Sequence, residues 1–250
     1  MAVEPWRTGT VIRVIDVTYN TKRYFVKVDE LERFNFKPGQ FVTLDLPIHE
    51  QKNKRWRSYS IASWPDGSNI FELLVVLLEG GAGSTYLFNE VKEGSQLMFR
   101  GAQGVFTLPE VIDRDLFLVC TGTGIAPFRS MANHIKLHNI SFKNIYLIFG
   151  CRTQKDLLYP GEMYDLQQTL KGFKYLPTLS REEWDGYKGY VHAIYEEICK
   201  KNNSLDNDNS NGLSPAYFYL CGWKAMIDEA KSRILELGYD RKAMHLELYG

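Results

Sequence analysis

Seven consecutive residues, Arg57-Ser58-Tyr59-Ser60-Ile61-Ala62-Ser63, bring together a cation, an aromatic ring and several hydroxyls. On an extended strand alternate side chains share a face, so Arg57, Tyr59 and Ile61 point one way and Ser58 and Ser60 the other. This set suits a planar ring that carries an anionic tail. The tyrosine can stack, a hydroxyl can meet a ring nitrogen, and the guanidinium can pair with phosphate. An ordinary strand with a buried tyrosine has the same pattern, so the neighbouring segments must decide between the two.

Three further stretches carry chemistry of the same kind. Glu79-Gly80-Gly81-Ala82-Gly83-Ser84-Thr85-Tyr86-Leu87 places glycines where backbone can approach a ligand. Ser84 or Thr85 is placed to cap a helix over 86–91, whose free N–H groups would receive an anion such as pyrophosphate. A glycine-rich hairpin before a capped helix would look alike without any ligand. Thr121-Gly122-Thr123-Gly124-Ile125-Ala126-Pro127 follows a predicted strand and opens a helix. Pro127 stands where a full G-x-G-x-x-G would have its third glycine, yet two glycines before a helix start keep the phosphate-binding logic. Ser180-Arg181-Glu182-Glu183 fits a capping box, and equally a hydroxyl and a guanidinium set for a phosphate monoester.

Composition narrows the classes. Lys plus Arg and Asp plus Glu are both 30 in a chain of 250 residues, so net charge gives no pointer to nucleic acid or membrane. The longest strongly apolar run, 73–78, is far too short to span a bilayer. The amino terminus lacks the basic-then-apolar signal pattern. Cys120, Cys151, Cys199 and Cys221 lie far apart, without iron–sulfur spacing. A reduced, cytoplasmic protein is the expectation, and Asn139-Ile140-Ser141 is then a chance match to a glycosylation site.

The elements that must position these motifs differ between the two halves. β-rich runs at 10–17, 23–28, 41–46, 56–63, 70–78 and 96–100, divided by turn signals such as Lys37-Pro38-Gly39-Gln40 and Pro65-Asp66-Gly67-Ser68, predict a closed six-stranded antiparallel barrel over residues 1–108. The polar segment 49–55 between two of them is a surface loop or a basic docking patch. From 109 to 250, strands at 116–120, 144–150, 173–179, 216–221 and 243–249 alternate with helices at 127–137, 161–170, 191–200 and 224–237. That alternation predicts a five-stranded, doubly wound parallel sheet, an α/β domain. Cys120, Cys151 and Cys221 fall at the carboxyl ends of strands, where such folds bind ligands. The Asn- and Asp-rich segment 202–214 reads as a surface loop.

In this order the motifs resemble the ferredoxin–NADP reductase family, from about residue 8 to the end. The resemblance implies a flavin-binding barrel followed by an NADP-binding domain. It implies that Tyr59 stacks on the isoalloxazine, Ser60 bonds near N5, and Arg57 pairs with the pyrophosphate, with Ser58 in the same motif. Gly81, Gly83, Ser84 and Thr85 resemble the second flavin motif, and Thr121, Gly122, Thr123 and Gly124 the nucleotide-pyrophosphate loop. Cys221-Gly222 resembles the motif beside the nicotinamide. Glu247-Leu248-Tyr249 resembles the plant-type ending, with the carboxylate near the reacting centre and Tyr249 covering the flavin, although here Gly250 follows. Ser180, Arg181, Lys188 and Tyr190, with help from Arg152, resemble the set for the 2′-phosphate and adenine. NADP is favoured over NAD, and FAD over FMN.

The implied activity is electron exchange between NADPH, which gives hydride, and a one-electron carrier such as ferredoxin or flavodoxin. Catalytic roles then fall to Ser60, Cys221, Glu247 and Tyr249. Hydride transfer needs nicotinamide C4 within roughly 3–3.5 Å of flavin N5. Two other readings stay open: an NADH-dependent reductase component of an oxygenase, and an electron-transfer flavin subunit of a larger complex. A non-enzymatic nucleotide-binding domain is the third, and purified colour separates it from the rest.

Overall fold

β-Branched and aromatic residues alternating with polar ones dictate a sheet with one buried face in the first part of the chain. The computed structural model describes residues 4–205 and 212–249. They separate into two units, Met1–Leu108 with Ala126–His134, and Pro109–Ile125 with Ile135–Gly250.

In the first unit, β1 (Trp6–Thr18), β2 (Thr21–Val28), β3 (Phe41–Asp45), β4 (Trp56–Ser60), β5 (Ile70–Val76) and β6 (Gln96–Gln103) pair antiparallel in the order β4-β3-β6-β1-β2-β5. A single bridge from Ile61 to Leu73 joins the two end strands and closes the barrel. The interior is filled by Val11, Tyr24, Val26, Val42, Phe71, Leu73 and Phe99, all buried. β4 is shorter than the expected 56–63, because after Ser60 the chain leaves β3 and turns to β5.

Helix α1 (Ala82–Glu90) follows β5. It starts four residues before the expected Tyr86. Ser84 and Thr85 therefore lie inside its first turn rather than capping it, and Gly81 is the N-cap. The Tyr24 hydroxyl donates to the Leu87 carbonyl (2.9 Å) and pins the helix to the barrel.

In the second unit, β7 (Asp115–Thr121), β8 (Ile145–Cys151), β9 (Phe173–Leu179), β10 (Tyr187–Lys188), β11 (Ala216–Trp223) and β12 (Met244–Tyr249) form a parallel sheet in the order β10-β9-β8-β7-β11-β12. The helices of the alternation are α2 (Ile125–His138), whose residues Ala126–His134 belong to the first unit, α3 (Pro160–Thr169), α4 (Val191–Leu205) and α5 (Lys224–Glu236). β7 and β8 are apolar and buried along nearly their whole length, as strands covered on both faces must be. The strand order reverses at β7 and β11. The crevice for a ligand in such sheets lies at the carboxyl ends of the strands at that switch point.

Two features differ from the expectation. The sheet gains a sixth strand, β10, whose two residues are too few to show any periodicity. α4 continues through Asn202 and Asn203 to Leu205, where a loop was expected. Asn202 donates to the buried Asp115 carboxylate (2.9 Å) and Asn203 accepts from the Ser214 amide (2.8 Å), so these polar residues satisfy interior groups. Residues 206–211 of the expected loop lie outside the described residues.

Candidate active site

In the first unit, β4 pairs Arg57 with Leu44 and Tyr59 with Val42 of β3. Arg57 donates to the carbonyls of Trp56 (2.8 Å) and Lys54 (3.0 Å). Its aliphatic stem lies against Gly83, where an added Cβ would sit 2.8 Å from Arg57 Cγ. No side chain caps α1. The guanidinium thus packs against a helix start whose first-turn amides have no side-chain acceptor, an arrangement that attracts an anion. A cavity of about 410 Å³, lined by Ile48, Gly80, Ala82, Thr85, Tyr86, Asn89 and, at the far end of α1 from the helix start, the carboxylate-bearing Glu90, opens beside this turn. These residues fit a cofactor with a pyrophosphate tail.

The other residues of this set have distinct places. Ser84 is buried, donates to the Gly81 carbonyl (3.0 Å) and accepts from the Leu78 amide (3.1 Å), so its hydroxyl fastens the glycine turn. Thr85 is exposed beside the cavity. Burial pushes the Tyr59 phenol up to about 12. Ser58 lies on the opposite face, 3.1 Å from the Thr43 hydroxyl, and Ser60 is buried.

Sequence reading missed a buried ionic cluster in this unit. Glu72 (2 % exposed) accepts from Arg129 Nη1 (3.0 Å) and from Arg23 Nε (2.7 Å) and Nη2 (2.8 Å). Arg129 (4 % exposed) also donates to the Ala62 carbonyl (2.9 Å). The available signal was a carboxylate inside the apolar run Ile70–Val76, because an unpaired Glu is almost never fully buried.

In the second unit, β7 ends at Thr121, a short turn covers Gly122–Gly124, and α2 begins without a side-chain cap. A Cβ on Gly124 would lie 2.4 Å from the Cys221 carbonyl oxygen. Gly222 has φ +152°, and a Cβ there would lie 2.6 Å from Thr121 Oγ1. That hydroxyl is buried and has no hydrogen-bond partner among the described residues. The register places Cys221 beside Glu247, and the thiol donates to Oε1 at 3.9 Å. Burial first, then the Glu247 carboxylate, push this thiol well above its ordinary value, so it stays protonated. Tyr249 donates to the Thr123 carbonyl (3.4 Å). The fold thus gathers Thr121–Gly124, Cys221, Gly222, Glu247 and Tyr249 at the switch point. A glycine turn before an uncapped helix, with an orphaned buried hydroxyl beside it, fits a dinucleotide. Gly124→Ala must push the turn off Cys221. We expect it to weaken nicotinamide-nucleotide binding about 10-fold or more while flavin content stays normal, as read by equilibrium titration.

A second group forms at the edge of the same sheet. The Ser180 amide and hydroxyl donate to the Cys151 carbonyl (3.0 and 3.3 Å), and the Arg181 amide donates to the Arg152 carbonyl (2.9 Å). Arg152, Ser180, Arg181, Lys188 and Tyr190 are all exposed. No helix starts at Ser180, so the capping-box alternative for Ser180–Glu183 does not apply. A capping box forms instead at Thr153 and Asp156, on the neighbouring loop. Two carboxylates sit among the cations: Glu183 pairs with Lys188, and Glu182 accepts from the Gln154 amide (2.7 Å).

Comparison with known proteins identifies the two domains. The model of the oxidoreductase FAD-binding domain matches residues 8–108, and that of the oxidoreductase NAD-binding domain matches residues 118–232. Ferredoxin--NADP reductase B of Sorangium cellulosum is 36% identical over 220 residues, 86% of each chain. The anthranilate 1,2-dioxygenase electron transfer component of Acinetobacter baylyi is 28% identical over 235 residues, which are 92% of this chain and 64% of that one. A ferredoxin NADP+ reductase from Neisseria gonorrhoeae, solved with bound FAD and NADP, shares the fold with a TM-score of 0.78 at 23% identity, over 97% of this chain and 98% of that one. With an FAD-binding domain model over residues 8–108, an NAD-binding domain model over residues 118–232 and a relative 36% identical over 86% of each chain, the chain belongs to the ferredoxin–NADP reductase family of flavin- and nicotinamide-dependent oxidoreductases.

Proposed function

We propose that the protein is an FAD-dependent reductase that exchanges electrons between NADPH and a one-electron carrier such as ferredoxin or flavodoxin, in the cytoplasm. The observation that carries this reading is that one chain holds both an Arg57 guanidinium beside the uncapped α1 turn, in the first unit, and a Thr121–Gly124 turn backed by Cys221 and Glu247, in the second. Bound flavin would supply the conversion between a two-electron hydride and single electrons.

Arg57 and the α1 amides would hold the cofactor's pyrophosphate, and Tyr59 and Ser60 its ring. Thr121–Gly124 and the start of α2 would hold the nucleotide's pyrophosphate. The neutral Cys221 thiol and Glu247 line the end of the sheet where the nicotinamide would lie. Ser180, Arg181, Lys188 and Arg152 would bind the 2′-phosphate, with Tyr190 against the adenine. No described helix is long and apolar enough to cross a membrane.

The Lys188–Glu183 pair favours a second reading, an NADH-dependent reductase component of an oxygenase, because a carboxylate beside the site opposes a 2′-phosphate. The deciding experiment compares flavin bleaching by NADPH and NADH at equal concentration. Faster bleaching by NADPH supports the first reading, and preference for NADH selects the second. In either case Glu183→Gln frees Lys188, and we expect it to raise the NADPH-to-NADH preference about threefold to tenfold. An unchanged ratio removes Lys188 from the phosphate site.

A further inference from the structure

We infer that Arg129 is a positioning residue for the cofactor strand β4, acting on the segment just after Ser60; the inference rests on the flavin reading above. β4 is an end strand of its sheet, paired along its length with β3 only. Its carboxyl end, which carries Tyr59 and Ser60, is therefore fixed by whatever holds residues 61–64.

The Ile61 amide still donates to the Gln40 carbonyl beside β3 (3.0 Å), and beyond it those residues are held by Arg129 and the β5 segment around Glu72. Ile61 bridges to Leu73. The Ala62 amide donates to the Glu72 carbonyl (2.8 Å), and the Ala62 carbonyl accepts from Arg129 Nη1 (2.9 Å). The Glu72 amide donates to Ser63 Oγ (3.0 Å). The Trp64 ring lies 5.3 Å from the Arg129 guanidinium. One planar cation thus meets a backbone carbonyl, a carboxylate and an indole together. A lysine, as a compact point charge, cannot reproduce that geometry.

Arg23 alone would pair Glu72 bidentately, so neutralising the carboxylate does not require Arg129. The distinctive contact of Arg129 is with Ala62. Arg129 therefore acts on the flavin through the place it gives to Tyr59 and Ser60.

The test uses the full-length, flavin-loaded protein. Arg129→Gln should raise amide hydrogen exchange at residues 60–64 about 10-fold or more, with little change across β1 and β2. It should slow flavin bleaching by the preferred nucleotide about 10-fold at normal flavin content and shift the flavin midpoint potential. Arg129→Lys, which keeps the charge beside Glu72, should recover stability but neither protection at 60–64 nor the bleaching rate. The inference is overturned by wild-type exchange at 60–64 in either variant, or by a loss of protection spread evenly over the barrel. If Arg129→Gln does not fold, Arg129→Lys alone decides by the same readouts. A wild-type protein that no nicotinamide nucleotide bleaches would sink the functional reading instead, and the exchange data would still judge the clamp.

Discussion

Glu72→Ala is expected to destabilise the first unit by about 3–5 kcal/mol, the usual result of removing one member of a buried ion pair. The size follows from what stays behind. Arg129 is almost wholly buried and Arg23 mostly so, and both would lose their carboxylate. The Ala62 carbonyl remains to Arg129 but cannot balance its charge. Glu72→Gln keeps the shape and part of the hydrogen bonding, so its loss should be smaller. Urea unfolding followed by flavin fluorescence measures both. A change below 1 kcal/mol or so for the alanine variant would mean that water reaches the cluster and that its charges are not truly interior. Glu183→Gln is the control, since its pair with Lys188 is exposed and should leave the unfolding midpoint unmoved.

The second large effect is kinetic. Cys221→Ala or Glu247→Ala should slow flavin reduction by about 100-fold while flavin content stays normal, because a misplacement of about 1 Å at a hydride donor costs that much. The two side chains are linked in register and by the Sγ–Oε1 contact, and both belong to the second unit. Flavin retention is therefore separable from their loss. The Cys221 thiol stays protonated, which suits it to packing as a small polarizable group rather than to nucleophilic attack. Transient reduction under anaerobic conditions reads the effect, and a wild-type rate in either variant removes that residue from the reacting centre.

Much of this was legible in the sequence because the relevant signals are local. Two glycines between an apolar run and a helix specify the turn at Thr121–Gly124, and alternation specifies the faces of β4. The parts that were not legible depend on distant partners. Ser84 looked like a cap, yet the helix begins earlier, and its hydroxyl closes the turn from Leu78 to Gly81. Asn202 and Asn203 looked like loop residues because nothing nearby in sequence shows that Asp115 and Ser214 need them. Glu72 and Arg129 are 57 residues apart, and each taken alone reads as an oddity in an apolar stretch. Glu183 was noted only as part of a capping pattern, whereas in the fold it is the counter-ion of Lys188.

The most direct test of the central claim, hydride in and single electrons out, is double-mixing stopped flow on the flavin-loaded protein. The first mix, with NADPH, reduces the flavin; the second adds oxidised ferredoxin in excess. The account predicts rapid bleaching near 450 nm or so, then reoxidation in step with the reduction of about two ferredoxins per flavin. A flavin-replete protein that neither NADPH nor NADH bleaches would contradict it.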